Sequence, residues 1–137
     1  GLRISDIRSL TFNKIKDGYL AYRQTKTTSP ERIKLSPNAL EILKEQKQLV
    51  NENKIFNLKS KEYIFYKLRE WIEKAGIKKH ITFHCARHTF ATLCLTYDID
   101  LFTVSKLLGH QDIKTTQIYA KLIDKKKDEA IDKLPNL

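Results

Sequence analysis

The sequence predicts an α+β fold that is mainly helical, with helices packed around one small three-stranded antiparallel sheet. Three observations lead there. Apolar residues recur at three- and four-residue spacing through most of the chain, the signature of helices with one buried face. Two short segments flanking Asp17-Gly18 read instead as a hairpin, because that dipeptide suits the positive φ of a tight turn. Gly and Pro are sparse, 4 and 3 in 137 residues, which with the periodic apolar clusters argues for a folded chain and against disorder.

Ile4, Ile7 and Leu10 predict a short helix over residues 4–10. Segments 12–15 and 19–23 are the arms of the hairpin, and a third β segment over 32–35 completes the sheet after the polar stretch 25–30. Ser36-Pro37 is an N-cap followed by proline at the first helical position, so a helix runs from 37 to about 49. Ser60 caps a second long helix, with Ile64, Leu68, Trp71, Ile72 and Ala75 on its buried face and Gly76 as its stop. Helices over 84–97 and 101–108 follow, the latter ended by Gly109. Further helical material is expected over 113–122 and 123–134, with Lys125-Lys126-Lys127 as a solvated charged face.

At 137 residues the chain is long enough for one domain with a hydrophobic core, read here as spanning 1–137. The opening Gly1-Leu2-Arg3 reads as a cut through a larger protein, of which this is a C-terminal part. Lys and Arg outnumber Asp and Glu by 26 to 16, a formal charge of +10 that favours a polyanionic partner, nucleic acid first and an anionic membrane surface second. No apolar run reaches the length of a membrane span and the first residues do not form a signal peptide, so a cytoplasmic setting is expected. Cys85 and Cys94 lack the spacing of a zinc site or the density of a disulfide scaffold, and are expected to be reduced.

Several polar residues stand where helices begin, end or turn: Arg3, Lys26, His84, Arg87, His110 and Tyr119. On a helix, His84, Arg87 and His88 lie at i, i+3 and i+4, so at least two project toward a shared point. The same triplet fits an ordinary exposed helix start. Leu107-Leu108-Gly109-His110 is equally a C-cap turn, and Tyr119 equally a packed helical tyrosine. Taken singly, none decides.

Together they do. The sequence resembles the catalytic domain of the tyrosine recombinase, or phage integrase, family, whose hallmark is an early Arg, a hairpin Lys, H-x-x-R, a later His or Trp, and a Tyr. The matches are Arg3 in Gly-Leu-Arg-Ile-Ser-Asp, Lys26 in Thr-Lys-Thr, His84 and Arg87 in His-Cys-Ala-Arg-His-Thr-Phe-Ala-Thr, His110 in Leu-Leu-Gly-His, and Tyr119 in Thr-Thr-Gln-Ile-Tyr. They occur in order, from Gly1 to about Lys121. Family members usually carry further helices of this domain, and a separate DNA-binding domain, before the first Arg.

The resemblance implies the tyrosine recombinase catalytic-domain fold and a site-specific recombinase or integrase. It would cleave and rejoin DNA through a covalent 3′-phosphotyrosine, in integration or excision of a mobile element. Arg3, Arg87 and His110 would bind the phosphate, Tyr119 would attack it, His84 would assist loss of the phenolic proton, and Lys26 would protonate the leaving 5′ oxygen. Asp6 would orient Arg3, and His88 would support the site. No cofactor and no metal are expected, since there is neither a glycine-rich phosphate loop nor a carboxylate cluster for magnesium. The implied partner is double-stranded DNA, bound by a homotetramer whose C-terminal helix packs on a neighbour, with no membrane and no small-molecule substrate.

Three other readings compete. A non-enzymatic DNA-binding module would use 101–108, the turn at 109–112 and 113–122 as a helix-turn-helix, but leaves Arg3, Lys26 and His84/Arg87 unexplained. A type IB topoisomerase shares the tyrosine chemistry, though the Leu-Leu-Gly-His and Thr-Thr-Gln-Ile-Tyr strings favour the recombinase. A purely structural protein is third.

Overall fold

The computed structural model describes residues 1–119, and over these the chain divides into two compact units: Leu2–Cys85, and Gly1 together with the chain from Ala86 onward. The expected helix over 123–134, its packing on a neighbour and the Lys125–Lys127 face lie outside the described residues.

The first unit opens with helix α1 (Ile4–Arg8), shorter than the expected 4–10 because Ser9 already caps it, its N–H bonding back to Asp6 and Ile7. The predicted first arm, 12–15, is a 3₁₀ turn over Phe12–Lys14, and strand β1 is only Ile15–Lys16. The reason lies across the chain: Phe12 N–H donates to Asn53 O, Ile55 N–H to Leu10 O, and Thr11 bridges Lys54. Residues 10–12 therefore spend their backbone bonds on 53–55 and not on the sheet. Strand β2 (Tyr19–Arg23) has the expected bounds, and β3 (Pro30–Lys34) begins two residues early. The sheet is antiparallel in the order β1-β2-β3, with Ile15 opposite Leu20 and Leu20 opposite Ile33. Asp17 and Gly18 both take positive φ at the β1–β2 turn, as the dipeptide required.

Period-two alternation decides which side of β2 is buried: Leu20 and Tyr22 face inward with Leu10 and Ile55, while Leu2, Phe12, Ile33, Leu35 and Leu43 pack around them. Each fully buried leucine contributes about 1.5–3 kcal/mol. Helix α2 (Pro37–Leu49) and helix α3 (Lys61–Lys74) start as read, with Ser36 Oγ accepting from Ala39 N–H and Ser60 Oγ from Tyr63 N–H. The buried face of α3 is narrower than expected. Ile64, Leu68 and Ile72, spaced by four, turn inward to differing degrees, but Trp71 is 62% exposed and Ala75 is exposed too.

Helix α4 (Phe83–Thr96) begins in the first unit and continues in the second, one residue offset from the expected 84–97. Helix α5 (Leu101–Leu108) matches its expected bounds; Asp100 caps its start by accepting from Thr103 N–H, and Gly109 ends it at φ 62°. The core of this second unit is Ala91, Cys94 and Leu95 from α4 with Val104, Leu108 and Tyr119. Cys85 and Cys94 are both free thiols. The expected helix over 113–122 does not form within the described residues. Two 3₁₀ turns, Ile113–Thr115 and Gln117–Tyr119, stand there instead, so the second helix of a helix-turn-helix is missing up to Tyr119.

Candidate active site

The second unit gathers four of the predicted residues. Arg87 is 4% exposed on the inner side of α4; its Nη1 donates to Gly1 O at 2.7 Å and its Nη2 to Leu108 O at 2.6 Å. Both contacts are charge-assisted and come from different nitrogens of one planar group, so the guanidinium is held in orientation before any ligand arrives. His110 follows the left-handed Gly109, and its N–H bonds back to Ser105 O, closing the helix end. Its Nδ1 pairs with Thr116 Oγ1 at 2.8 Å, and Thr116 is fully buried. That contact fixes the imidazole on the turn leading to Tyr119, whose own N–H donates to Thr116 O.

Tyr119 is 8% exposed, and its hydroxyl lies 2.5 Å from His88 Nδ1, the two rings meeting edge to face. With Nδ1 unprotonated the phenol donates to it. Burial pushes the Tyr119 phenol above its ordinary range, and the Arg87 charge pulls it the other way. The proton on Tyr119 is therefore held until charge compensation or an acceptor removes it. His88, expected only to support the site, is the side chain on the phenol. Arg87, His88, His110 and Tyr119 thus form one constellation: a buried hydroxyl with an imidazole on its oxygen, a fixed guanidinium and a second fixed imidazole.

The first unit arranges the other residues. Arg3 stands at the N-cap of α1 with an extended backbone, and its Nη1 donates to Gln24 Oε1 at 2.7 Å. Asp6, 0% exposed, does not orient Arg3 as expected: its Oδ1 accepts from the Thr25 N–H at 2.8 Å, while Oδ2 has no hydrogen-bond partner. The physical reason is competition from the β2–β3 turn: Gln24 Oε1 takes the Arg3 Nη1 donor and the Thr25 N–H takes Asp6 Oδ1, so Asp6 meets Arg3 only through its backbone N–H on Arg3 O. Lys26 is exposed on the turn between β2 and β3, and His84 is exposed on the first turn of α4. Among the described residues no group of three His, Cys, Asp or Glu side chains is set to hold a metal ion.

Gln24 and Thr116 were not singled out from sequence. Gln24 could have been, since it continues the inward parity of Leu20 and Tyr22 as a polar residue at a buried position. Thr116 lay inside the Thr-Thr-Gln-Ile-Tyr string, but no period marked its burial, because two 3₁₀ turns stand where a helix was expected.

The family model described as the phage integrase family matches residues 1–126. The chain is 39% identical over 127 residues to tyrosine recombinase XerA of Saccharolobus solfataricus, covering 90% of this chain and 42% of that protein. It is 32% identical over 136 residues to tyrosine recombinase XerD of Lacticaseibacillus casei, covering 89% and 46%. The chain therefore spans about half the length of the curated relatives it matches. In fold it is similar to a crystal structure of XerA recombinase, with TM-score 0.77 and 22% identity, over 99% of this chain and 53% of that one. It is also similar to XerH site-specific recombinase bound to difH substrate in a pre-cleavage complex, with TM-score 0.68 and 24% identity, over 87% and 38%. A third similar structure is the catalytic domain of bacteriophage HP1 integrase, with TM-score 0.71 and 20% identity, over 97% and 74%.

Proposed function

The chain belongs to the phage integrase family, and from that premise we propose that residues 1–137 are a tyrosine recombinase catalytic domain, part of an enzyme that cleaves and rejoins double-stranded DNA at specific sites. The observation that carries the reading is the Tyr119 hydroxyl, buried yet set against His88 Nδ1 in the same unit as the fixed Arg87 guanidinium. An ordinary packed tyrosine needs a hydrogen-bond partner, but not a cation held nearby by two backbone carbonyls.

In the proposed reaction the Tyr119 oxygen bonds to phosphorus and the bond from phosphorus to the 5′ oxygen breaks. The phenolic proton leaves toward an imidazole; His88 Nδ1 takes the hydrogen bond in the resting arrangement, and His84 assists as the family resemblance implies. Arg3, Arg87 and His110 neutralise the charge that moves onto the non-bridging oxygens. Lys26 protonates the departing 5′ oxygen, which would otherwise leave as a strongly basic alkoxide. The products are a 3′-phosphotyrosyl link and a free 5′-hydroxyl, so attack by another 5′-hydroxyl reverses the step. Integration or excision of a mobile element, and a tetramer synapsing two duplexes, belong to this proposal as well.

The test is to incubate the full-length protein with a nicked duplex from which the released 5′ strand diffuses away, and to look for a covalent protein–DNA adduct. The adduct is expected to form in excess EDTA, because side-chain cations supply the charge that metal ions supply in many nucleases. Loss of cleavage on chelation, restored by magnesium, would contradict the mechanism.

Affinity for DNA is expected to fall steeply with salt, since the +10 charge must act on phosphates and release their counterions. Binding measured across a salt series checks this. A flat log–log plot would remove the argument from charge.

A further inference from the structure

Gln24 is 1% exposed and sits where β2 would be expected to continue its apolar inner face after Leu20 and Tyr22. A buried amide costs free energy unless its groups are paired. Here the pairing joins two separate pieces of the first unit. Gln24 Oε1 accepts from Arg3 Nη1 at 2.7 Å and from Thr27 Oγ1 at 3.0 Å, and Nε2 donates to Glu31 Oε1 at 2.9 Å. Its backbone closes the same turn, with Gln24 N–H on Ser29 O and Thr28 N–H on Gln24 O.

That turn carries Lys26, and it contains Thr28 at φ 56°, a costly conformation for a β-branched residue that persists only where surrounding contacts enforce it. Asp6 Oδ1 on the Thr25 N–H ties the turn to α1 a second time. Two bonds that hold the Lys26 turn, from Thr27 Oγ1 and to Glu31 Oε1, and the bond that fixes the Arg3 guanidinium thus meet on the Gln24 side chain.

We infer that Gln24 is a positioning residue: it couples the phosphate-binding Arg3 to the turn that delivers the Lys26 proton, so that clamp and proton donor keep one fixed spacing. The inference rests on the roles proposed above for Arg3 and Lys26. Gln24 touches no substrate, and its effect runs through those two side chains.

The test uses the full-length protein and two nicked DNA substrates, one ordinary and one with sulfur in place of the 5′ bridging oxygen. With sulfur, the bond from phosphorus to sulfur breaks and the electron pair leaves as a thiolate, which needs no proton from Lys26. Lys26→Ala serves as the control for the underlying reading. If its defect is not relieved by the sulfur substrate, Lys26 is not the proton donor, and the proposed function fails before Gln24 is considered.

With that control satisfied, Gln24→Met is expected to slow adduct formation on the ordinary substrate roughly 100-fold, the scale of a misplacement of about 1 Å. On the sulfur substrate the deficit should shrink severalfold to the part owed to Arg3, and in an Arg3→Ala background Gln24→Met should then add nothing. An equal loss on both substrates, or a full additional loss in the Arg3→Ala background, would mean that Gln24 only stabilises the fold. Should Gln24→Met not fold, Thr27→Val decides, because it removes a single hydroxyl from the turn. A loss on the ordinary substrate that disappears with sulfur supports the inference, and an equal loss on both, or none on either, overturns it.

Discussion

Tyr119→Phe, in the full-length protein, is expected to bind DNA as tightly as the wild type and to form no covalent adduct. The substitution keeps the ring that packs with Ala91, Leu95, Val104 and Leu108 in the core of its unit. What it removes is the hydroxyl on His88 Nδ1. The stability cost is that of one hydrogen bond, about 0.5–1.5 kcal/mol, small beside the usual 5–15 kcal/mol of a folded domain. The basic surface is unchanged, so a gel-shift titration should give the wild-type affinity while the adduct assay reads zero. Persistent cleavage would move the nucleophile elsewhere, with Tyr97, which is exposed, or a water as the next suspects. An unfolded variant would mean that the phenol serves packing alone.

The same residue shows how far sequence carried the argument. Tyr119, Arg87 and His110 were found by the family pattern of letters, and the turn at Gly109 that presents His110 follows from glycine chemistry visible in the string. The burial of Arg87 and Tyr119 was not visible. A packed tyrosine was one reading of Tyr119 from sequence, but nothing there marked a hydrogen bond to a histidine 31 residues away. The helices with local caps at Ser36 and Ser60 were legible because a side chain three residues from its partner writes the boundary into the sequence. The first arm of the hairpin was not, because residues 10–12 pair with 53–55, and nothing local signals a partner forty residues on. Asp6 differs for a related reason. The resemblance implied that it would orient Arg3, whereas the Arg3 side chain bonds Gln24 and Asp6 Oδ1 holds the amide of Thr25, partners about twenty residues on that nothing local signals.

Arg87→Lys is expected to lose roughly 100- to 1,000-fold in the rate of adduct formation, the scale of removing one fixed donor at a developing charge. The substitution keeps the positive charge, and with it most of the pull on the Tyr119 phenol that opposes burial. What it cannot keep is shape. The Arg87 guanidinium bonds Gly1 O and Leu108 O from two different nitrogens of one plane, which orients the whole fork. An ammonium is a point donor on a flexible stem; it can satisfy one of these carbonyls well, or neither, and it cannot grip two phosphate oxygens side by side. Losing one charged hydrogen bond should also cost about 1.5–3 kcal/mol of stability, so the assay belongs well below the midpoint of thermal unfolding, with the folded fraction measured alongside. The decisive pattern is a slow chemical step with near-normal DNA affinity in a folded protein. If the variant cleaves at close to the wild-type rate, charge alone suffices at this position, and Arg87 acts as a counterion rather than a directional clamp on the phosphate.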